Sequence, residues 1–125
     1  MKAVIYFTEV PQQYEHKNME HMIGEKLLAT GLYKEYGLKL AFEPRATGEH
    51  GKPFLTLQPK IHYNITHSGK YVMCIIADQE IGIDVQVHKK VNYERMLELG
   101  EDYSGAVWSR KPLELRWEHA EVQLP

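Results

Sequence analysis

The feature that most constrains this chain is an apolar run at Tyr71–Ala77, followed by a short polar segment and a second strand-like run at residues 81–85. Two β-rich runs that flank a polar turn are typical of a β-hairpin. The second run contains Asp84, and a carboxylate inside an apolar strand is costly unless it is paired or binds a metal. The pattern therefore predicts a hairpin over residues 62–86 that brings Asp84 close to His67.

The segment just before the apolar run is polar and suited to binding phosphate. Asn64-Ile65-Thr66-His67-Ser68-Gly69 supplies hydroxyl groups, an imidazole and, near the glycine, backbone N–H groups. Combined with Asp84, these groups suit a divalent cation next to a phosphate. The residues alone leave an alternative open, in which Asp84 satisfies a nearby turn and His67 is a neutral histidine bonded to the backbone.

The rest of the chain predicts an α+β fold, in which a small antiparallel sheet packs on one long helix. Residues 2–10 alternate and are rich in Val, Ile, Tyr and Phe, which predicts a first strand that ends at Pro11. Apolar residues recur at three- and four-residue steps over residues 19–36, which predicts a helix that stops at Gly37.

The side chains and connections around this helix can also be predicted. We expect Met22, Leu27 and Tyr33 to face the core. Residues 38–42 predict a short strand, and residues 44–52 predict a loop because glycine and proline punctuate them.

Composition limits the class of protein. With 125 residues, the chain is long enough for one domain with a real core. Its 17 acidic and 15 basic residues give a formal net charge of −2, which argues against nucleic-acid binding and against a polybasic membrane surface. No apolar run approaches the length of a membrane span and the first residues lack a secretory pattern, so we expect a cytoplasmic protein. The single cysteine, Cys74, excludes an internal disulfide, and we expect it to be buried.

Three motifs follow one another along the chain. They are Gly51-Lys52-Pro53, then Ile61-His62-Tyr63-Asn64-Ile65-Thr66-His67-Ser68-Gly69, then Ile81-Gly82-Ile83-Asp84-Val85. In order and spacing they resemble the 4′-phosphopantetheinyl transferase superfamily, of the longer, Sfp-like type. The resemblance covers residues 1–91 and implies that they form one half of a pseudo-twofold fold, the N-terminal half.

The resemblance also implies an activity. Members of the family transfer 4′-phosphopantetheine from coenzyme A to a serine of an acyl or peptidyl carrier protein, and they use Mg²⁺. The implied partners are therefore coenzyme A and a carrier protein of fatty acid, polyketide or nonribosomal peptide biosynthesis.

By resemblance, a small set of residues receives roles in this reaction. Asp84 would be catalytic and the first ligand of Mg²⁺, and Gln86, on the same side of the strand, would offer a neutral oxygen to that ion. Thr66 would donate to a pyrophosphate oxygen, and His67 would be catalytic and contact the 3′-phosphate of coenzyme A. Lys52 would bind coenzyme A, although from the residues alone it is an ordinary exposed lysine at a turn.

Some positions depart from the family pattern. Ala29 stands where the family carries a helix arginine that helps to hold the 3′-phosphate. Trp108-Ser109-Arg110-Lys111 resembles the opening of a further motif of the family, which is helical and in which Lys111 would bind coenzyme A. Pro112 replaces the glutamate of that motif, which would be both a metal ligand and the proton acceptor. Arg116 falls where the family has a further phosphate-binding lysine.

Residues 92–125 are therefore interpreted as a divergent or truncated C-terminal segment of the same domain, with a second helix expected to begin over residues 92–99. A fragment, a shifted reading frame or a naturally shortened relative would each explain this tail. Three hypotheses stay open: an active transferase, a coenzyme A- or carrier-protein-binding homologue without turnover, and a half-domain that associates with itself. Because a half-length chain would expose the apolar face meant for its other half, we expect a homo-oligomer.

Overall fold

The computed structural model describes residues 2–79, 81–87, 96–100, 103–109 and 114–125, and for residues 2, 50, 81–87, 96–100 and 103–109 it describes the backbone alone. These parts contain an α-helix, β-strands and short 3₁₀ helices. In chain order the strands and the α-helix are β1 (Lys2–Glu9), α1 (Glu20–Tyr36), β2 (Arg45–Thr47), β3 (Pro53–Leu55), β4 (His62–Ser68), β5 (Tyr71–Ala77), β6 (Ile81–Val87), β7 (Met96–Gly100), β8 (Tyr103–Ser109) and β9 (Glu114–His119). The 3₁₀ helices are Gln12–Tyr14, Leu40–Phe42 and Glu49–Gly51.

The strands form three sheets, and α1 packs on one face of the largest. That sheet has the order β4-β5-β1-β9, while β2 pairs with β3 and the third sheet has the order β6-β8-β7. The α+β class and the packing of a sheet on one long helix are confirmed. The main sheet is mixed rather than purely antiparallel, because β9 runs parallel to β1.

The hairpin is one strand earlier than the sequence predicts. β5 pairs with β4 from Ser68 opposite Tyr71, across a turn at Gly69, whose φ of 56° favours glycine. The prediction that β5 and β6 form the hairpin is wrong. The edges of β5 are taken by β4 and β1, so β6 has no edge of β5 to join and pairs with β8 instead. The backbone of β6 nevertheless lies beside β4.

The helix has the predicted limits but not all of the predicted core. It ends at Gly37, whose φ of 68° and N–H bond to the Tyr33 carbonyl give a left-handed cap. Leu27 is buried as predicted, whereas Met22 is 40% and Tyr33 61% exposed. Met22 and Tyr33 are eleven residues apart, about three helical turns, so they share the outer face of α1. The prediction that these two side chains face the core is wrong.

Three local predictions fail where tertiary pairing decides the outcome. Residues 38–42 contain the 3₁₀ helix Leu40–Phe42 rather than a strand, because no neighbouring strand pairs with them in the described part of the chain. The predicted loop at residues 44–52 contains β2, which pairs with β3. Residues 96–99 belong to β7 rather than to a helix, because they pair with β8, and residues 92–95 lie outside the described residues.

The main sheet is apolar on both faces. Along β1 and β5, successive side chains alternate between the face that packs on α1 and the opposite face. The members on the helix side are Val4, Tyr6, Val72, Cys74 and Ile76. The members on the opposite side are Ala3, Ile5, Met73, Ile75 and Ala77, against which Phe7, Leu115 and Trp117 pack. The expected burial of Cys74 is confirmed.

The C-terminal residues are part of this fold. After β9, the Ala120 N–H donates to the Phe7 carbonyl at 3.0 Å. Lys26 Nζ donates to the Gln123 carbonyl at 2.6 Å, and the Tyr14 hydroxyl donates to the Pro125 carbonyl. The residues after β9 therefore lie across α1 and the 3₁₀ helix that precedes it. In the part of the chain that the structure describes, no helix combines the length and the apolar character needed to cross a bilayer.

Candidate functional site

A cavity of about 290 Å³ lies beside the amino end of α1, where β2, β4 and the segment before β3 meet the helix. Its walls come from four separate parts of the sequence. The lining residues are Glu20, His21, Glu25, Arg45, Lys52, Pro53, Tyr63, Asn64, Ile65 and His67. The cavity thus brings together Lys52 and His67, two residues that the sequence predicts as ligand-binding.

The strand register decides which β4 side chains reach this cavity. His67 pairs with Val72, whose side chain lies in the helix-side core, so His67 points to the α1 face. Thr66 pairs with Met73, whose side chain lies in the core on the opposite face. The two neighbours therefore point to opposite faces of β4. The structure brings His67, but not Thr66, to the cavity with Lys52.

Lys52 is positioned by a tight turn. The 3₁₀ helix Glu49–Gly51 ends at Gly51, whose φ of 74° favours glycine, and the Gly48 N–H donates to the Lys52 carbonyl at 2.9 Å. Pro53 then starts β3. The motif Gly51-Lys52-Pro53 therefore holds a half-buried lysine at the wall of the cavity. The same wall borders a second cavity of about 210 Å³, which Phe54 and Ile61 also line.

Arg45 and Glu25 form an ion pair in the cavity wall. Arg45 Nη1 lies 2.9 Å from both carboxylate oxygens of Glu25. This hydrogen bond is the main reason that the pKa of Arg45 is raised, and the nearby Tyr63 hydroxyl is the next. The sequence marks Arg45 as part of a loop and gives it no role. Because Glu25 and Arg45 are far apart in the chain, no local spacing signals the pair.

Tyr63 is a second residue that the sequence did not single out. Its side chain is 3% exposed, and its hydroxyl makes no hydrogen bond of normal geometry within the described residues. The oxygen is close enough to the Arg45 guanidinium to favour the positive charge. Buried hydroxyls almost always have a partner, and in this cavity wall the Arg45 guanidinium is the polar group that faces the Tyr63 hydroxyl.

Arg116 lies at the other end of the helix. It is on β9 and donates to the Glu35 carboxylate, which also accepts from the Tyr6 hydroxyl at 2.9 Å. Arg116 and Glu35, together with Glu114 and Asp78, line a cavity of about 610 Å³. At 1.5 Å per residue, Glu35 is about 20 Å along α1 from His21. The structure therefore does not bring Arg116 together with Lys52 and His67.

For the remaining predicted site residues, the structure describes either the backbone alone or nothing. Asp84 and Gln86 lie on β6, and their side chains are outside the described residues, as are Lys111 and Pro112 entirely. Trp108 lies on β8, so the expected helical setting is wrong at the start of that motif, because this segment pairs with β6. Among the described side chains, no group of three or more His, Cys, Asp or Glu is arranged as a metal site.

Comparison with known proteins agrees with the motifs. No family model matches the sequence. The chain is 36% identical over 80 residues to a 4′-phosphopantetheinyl transferase of Bacillus subtilis, a match that covers 62% of this chain and 36% of that protein. It is 33% identical over 85 residues to the 4′-phosphopantetheinyl transferase Sfp of Bacillus subtilis strain 168, covering 66% and 38% of the two chains. The chain is related to the Sfp-like 4′-phosphopantetheinyl transferases.

The relationship to these transferases is strongest in the N-terminal region. A further match, 30% identical over 71 residues, is to the 4′-phosphopantetheinyl transferase psf-1 of Bacillus pumilus and covers 57% of this chain and 30% of that protein. The chain thus covers only 30% to 38% of the length of these three relatives. Within this transferase-related region, α1, β2 and β4 supply the walls of the cavity.

Proposed function

We propose that this chain takes part in transferring 4′-phosphopantetheine from coenzyme A to a serine of an acyl or peptidyl carrier protein. The observation that carries the proposal is the meeting of Lys52 and His67 in one cavity of a chain related to these transferases. An ammonium and an imidazole that converge from distant segments suit a phosphate-bearing ligand.

The reaction is a displacement at the pyrophosphate of coenzyme A. The serine oxygen forms a bond to the phosphorus of the pantetheine phosphate, and the bond from this phosphorus to the bridging oxygen breaks. Adenosine 3′,5′-bisphosphate leaves with that oxygen, and the serine proton passes to a base. The demands on the protein are to hold the leaving group, to neutralise charge and to align the serine. Lys52 and His67 serve the first two demands at the cavity wall.

A magnesium ion is part of this proposal. Asp84 and Gln86 would hold it, since both lie on β6 and offer the oxygen donors that Mg²⁺ prefers. Mg²⁺ takes few protein carboxylates and completes its shell with phosphate oxygens and water, so one carboxylate and one amide suit it. When bound, the ion would neutralise charge on the pyrophosphate. β6 runs beside β4, the strand that carries His67, which supports a shared site.

A second candidate function follows from Pro112. This residue stands where the family motif has its glutamate, so the proton acceptor of that motif is missing. A chain that binds coenzyme A or a carrier protein without turnover is therefore the alternative. Transfer assays separate the two functions, because only the first predicts a modified carrier protein.

The test is incubation with coenzyme A, MgCl₂ and an apo carrier protein, followed by intact-mass measurement of the carrier. An added phosphopantetheine mass that is lost in His67→Ala and Lys52→Ala supports the first function. Lys34→Gln, which removes an exposed lysine from the last turn of α1, is the matched control and keeps wild-type transfer. Binding of coenzyme A by calorimetry without any transfer supports the second function, and neither binding nor transfer overturns both.

We also propose that the chain associates with itself. Phe42, Phe54 and Leu57 are exposed large apolar side chains. The segments that carry Phe42 and Leu57 are joined, since the Thr56 N–H donates to the Pro44 carbonyl at 3.0 Å. Apolar groups clustered on a surface favour an interface. Sedimentation velocity at micromolar protein should show a dimer or larger species that Phe42→Ser with Leu57→Ser shifts toward monomer. A wild-type chain that sediments only as monomer contradicts the proposal.

A further inference from the structure

Strand β9 is the last strand of the main sheet in the part of the chain that the structure describes. The order β4-β5-β1-β9 gives it β1 on one side, and no described strand pairs with its outer edge. The residues after β9 form no strand and lie across α1. The outer edge of an end strand presents backbone N–H and C=O groups that can pair with a further strand.

The register of β9 on β1 decides which backbone groups point outward. Phe7 is the partner of His119, and the Ala120 N–H donates to the Phe7 carbonyl at 3.0 Å. In a parallel pair, a residue bonds to the two residues that flank its partner, and this pattern repeats at every second position. The backbone groups of the even-numbered residues of β9 therefore turn to β1. Those of Leu115, Trp117 and His119 turn to the outer edge.

The side chains of β9 place both signs of charge beside this edge. Arg116 and Glu118 lie on the face that packs on α1, and their side chains are 54% and 41% exposed. Trp117 lies on the opposite face, where its ring meets Phe7 edge to face with the centroids 5.8 Å apart. Charges on an end strand oppose pairing in most registers and favour it where opposite signs meet.

One register of β9 with a second copy of itself matches these charges. A twofold axis normal to the sheet pairs the copies antiparallel, and like residues meet at the axis. An axis at Arg116 or at Glu118 would set equal charges opposite each other. An axis at Trp117 instead sets Arg116 opposite the partner's Glu118, once in each direction. It also sets Leu115 opposite the partner's His119, so the outward backbone groups of both copies meet.

We infer that the outer edge of β9 pairs antiparallel with β9 of a second copy of this chain, with the twofold axis at Trp117. The occupant is a second copy because the strand is complementary to itself in charge and in backbone donors and acceptors. Two tryptophans would then be neighbours across the axis, and aromatic cross-strand pairs add stability. The inference uses a different surface from Phe42 and Leu57, and it does not rest on the transfer reaction.

A matched pair of variants at His119 tests the backbone pairing. In the antiparallel pair the His119 N–H donates to the partner's Leu115 carbonyl, once in each copy. His119→Pro removes these two bonds, and proline is tolerated where the N–H faces away from the sheet. His119→Ala keeps the N–H and loses only the ring. In sedimentation equilibrium, His119→Pro should raise the dimer dissociation constant about tenfold or more relative to His119→Ala.

A charge exchange tests the register. In Glu118→Lys and in Arg116→Glu, each homodimer has like charges opposite each other and should weaken. Mixing the two variants in equal amounts should restore a dimer, because each cross-strand pair then has opposite charges again. Circular dichroism of each variant shows that the fold is retained, which matters for Arg116 because it also pairs with Glu35. Folded variants that form no mixed dimer overturn the inference.

The same measurements separate this edge from the other proposed surface. Association that is lost in Phe42→Ser with Leu57→Ser, and is equally tight in His119→Pro and His119→Ala, overturns the pairing of β9. Association that depends on the His119 N–H and survives the Phe42 and Leu57 changes supports it. A wild-type chain that stays monomeric overturns both. Transfer of phosphopantetheine is not measured in these experiments, so their failure leaves the proposed reaction unaffected.

Discussion

The contact between Gly24 and Ile65 ties the helix to the strand that carries His67. A Cβ atom on Gly24 would lie 2.5 Å from Ile65 Cγ2, whereas carbon atoms pack at about 3.5–4.0 Å. Ile65 is branched at Cβ and has restricted rotamers, so its methyl group does not turn away freely. It also lies on β4, which is paired along its length with β5. Gly24→Ala therefore forces α1 and β4 apart by about 1 Å.

The magnitude follows from two opposing effects. Alanine is favoured over glycine in a helix interior by about 1 kcal/mol. Overpacking of a well-packed site costs about 1–3 kcal/mol. The net effect of Gly24→Ala should be a loss of about 0–2 kcal/mol in the free energy of unfolding. If the clash is removed, the same substitution should instead stabilise the protein by about 1 kcal/mol.

A double-mutant cycle in urea measures this directly. Ile65→Ala removes the clashing methyl group, so Gly24→Ala should be stabilising in that background and neutral or destabilising in the wild type. The coupling energy should be about 1–3 kcal/mol. Equal effects of Gly24→Ala in the two backgrounds, within about 0.5 kcal/mol, would refute the steric argument. Since His67 is two residues from Ile65, ligand binding should also weaken in the single variant and recover in the double one.

Three further predictions concern residues outside the cavity. Gly37→Ala should cost about 1–2 kcal/mol in urea unfolding, because its φ of 68° is left-handed while no neighbouring atom blocks the new methyl group. Burial first, and then the hydrogen bond to Glu35, raise the pKa of Tyr6, so its contribution to stability is present below the ordinary tyrosine pKa of about 10 and is lost as the pH rises above it. Between pH 9 and 11 the wild type should lose up to about 1.4 kcal/mol more than Tyr6→Phe, and equal losses would contradict this. Burial raises the pKa of the Cys74 thiol, so it should react with a thiol reagent at neutral pH only after unfolding; fast reaction of the native protein would show that the thiol is accessible.

The sequence by itself determined the elements whose signals are local. The alternation of β1, the spacing of apolar residues in α1 and the glycine that ends it act over a few residues, and the structure has these elements where they were predicted. The motif Gly51-Lys52-Pro53 and His67 of β4 were also recognisable in the sequence, and relatives that match the N-terminal region carry the transferase name.

The tertiary structure decided the partners. The apolar run of β5 predicts a strand, but it does not predict which strand pairs with each of its edges. In the structure β4 and β1 pair with β5, and β6 belongs to another sheet. Register alone placed His67 on the cavity face and Thr66 on the other. The pair of Arg45 with Glu25 and the pair of Arg116 with Glu35 join residues that are distant in the chain. The hydrophobic period and the capping residues are local properties of the sequence. Strand pairing and ion pairing instead depend on which distant segments meet when the chain folds.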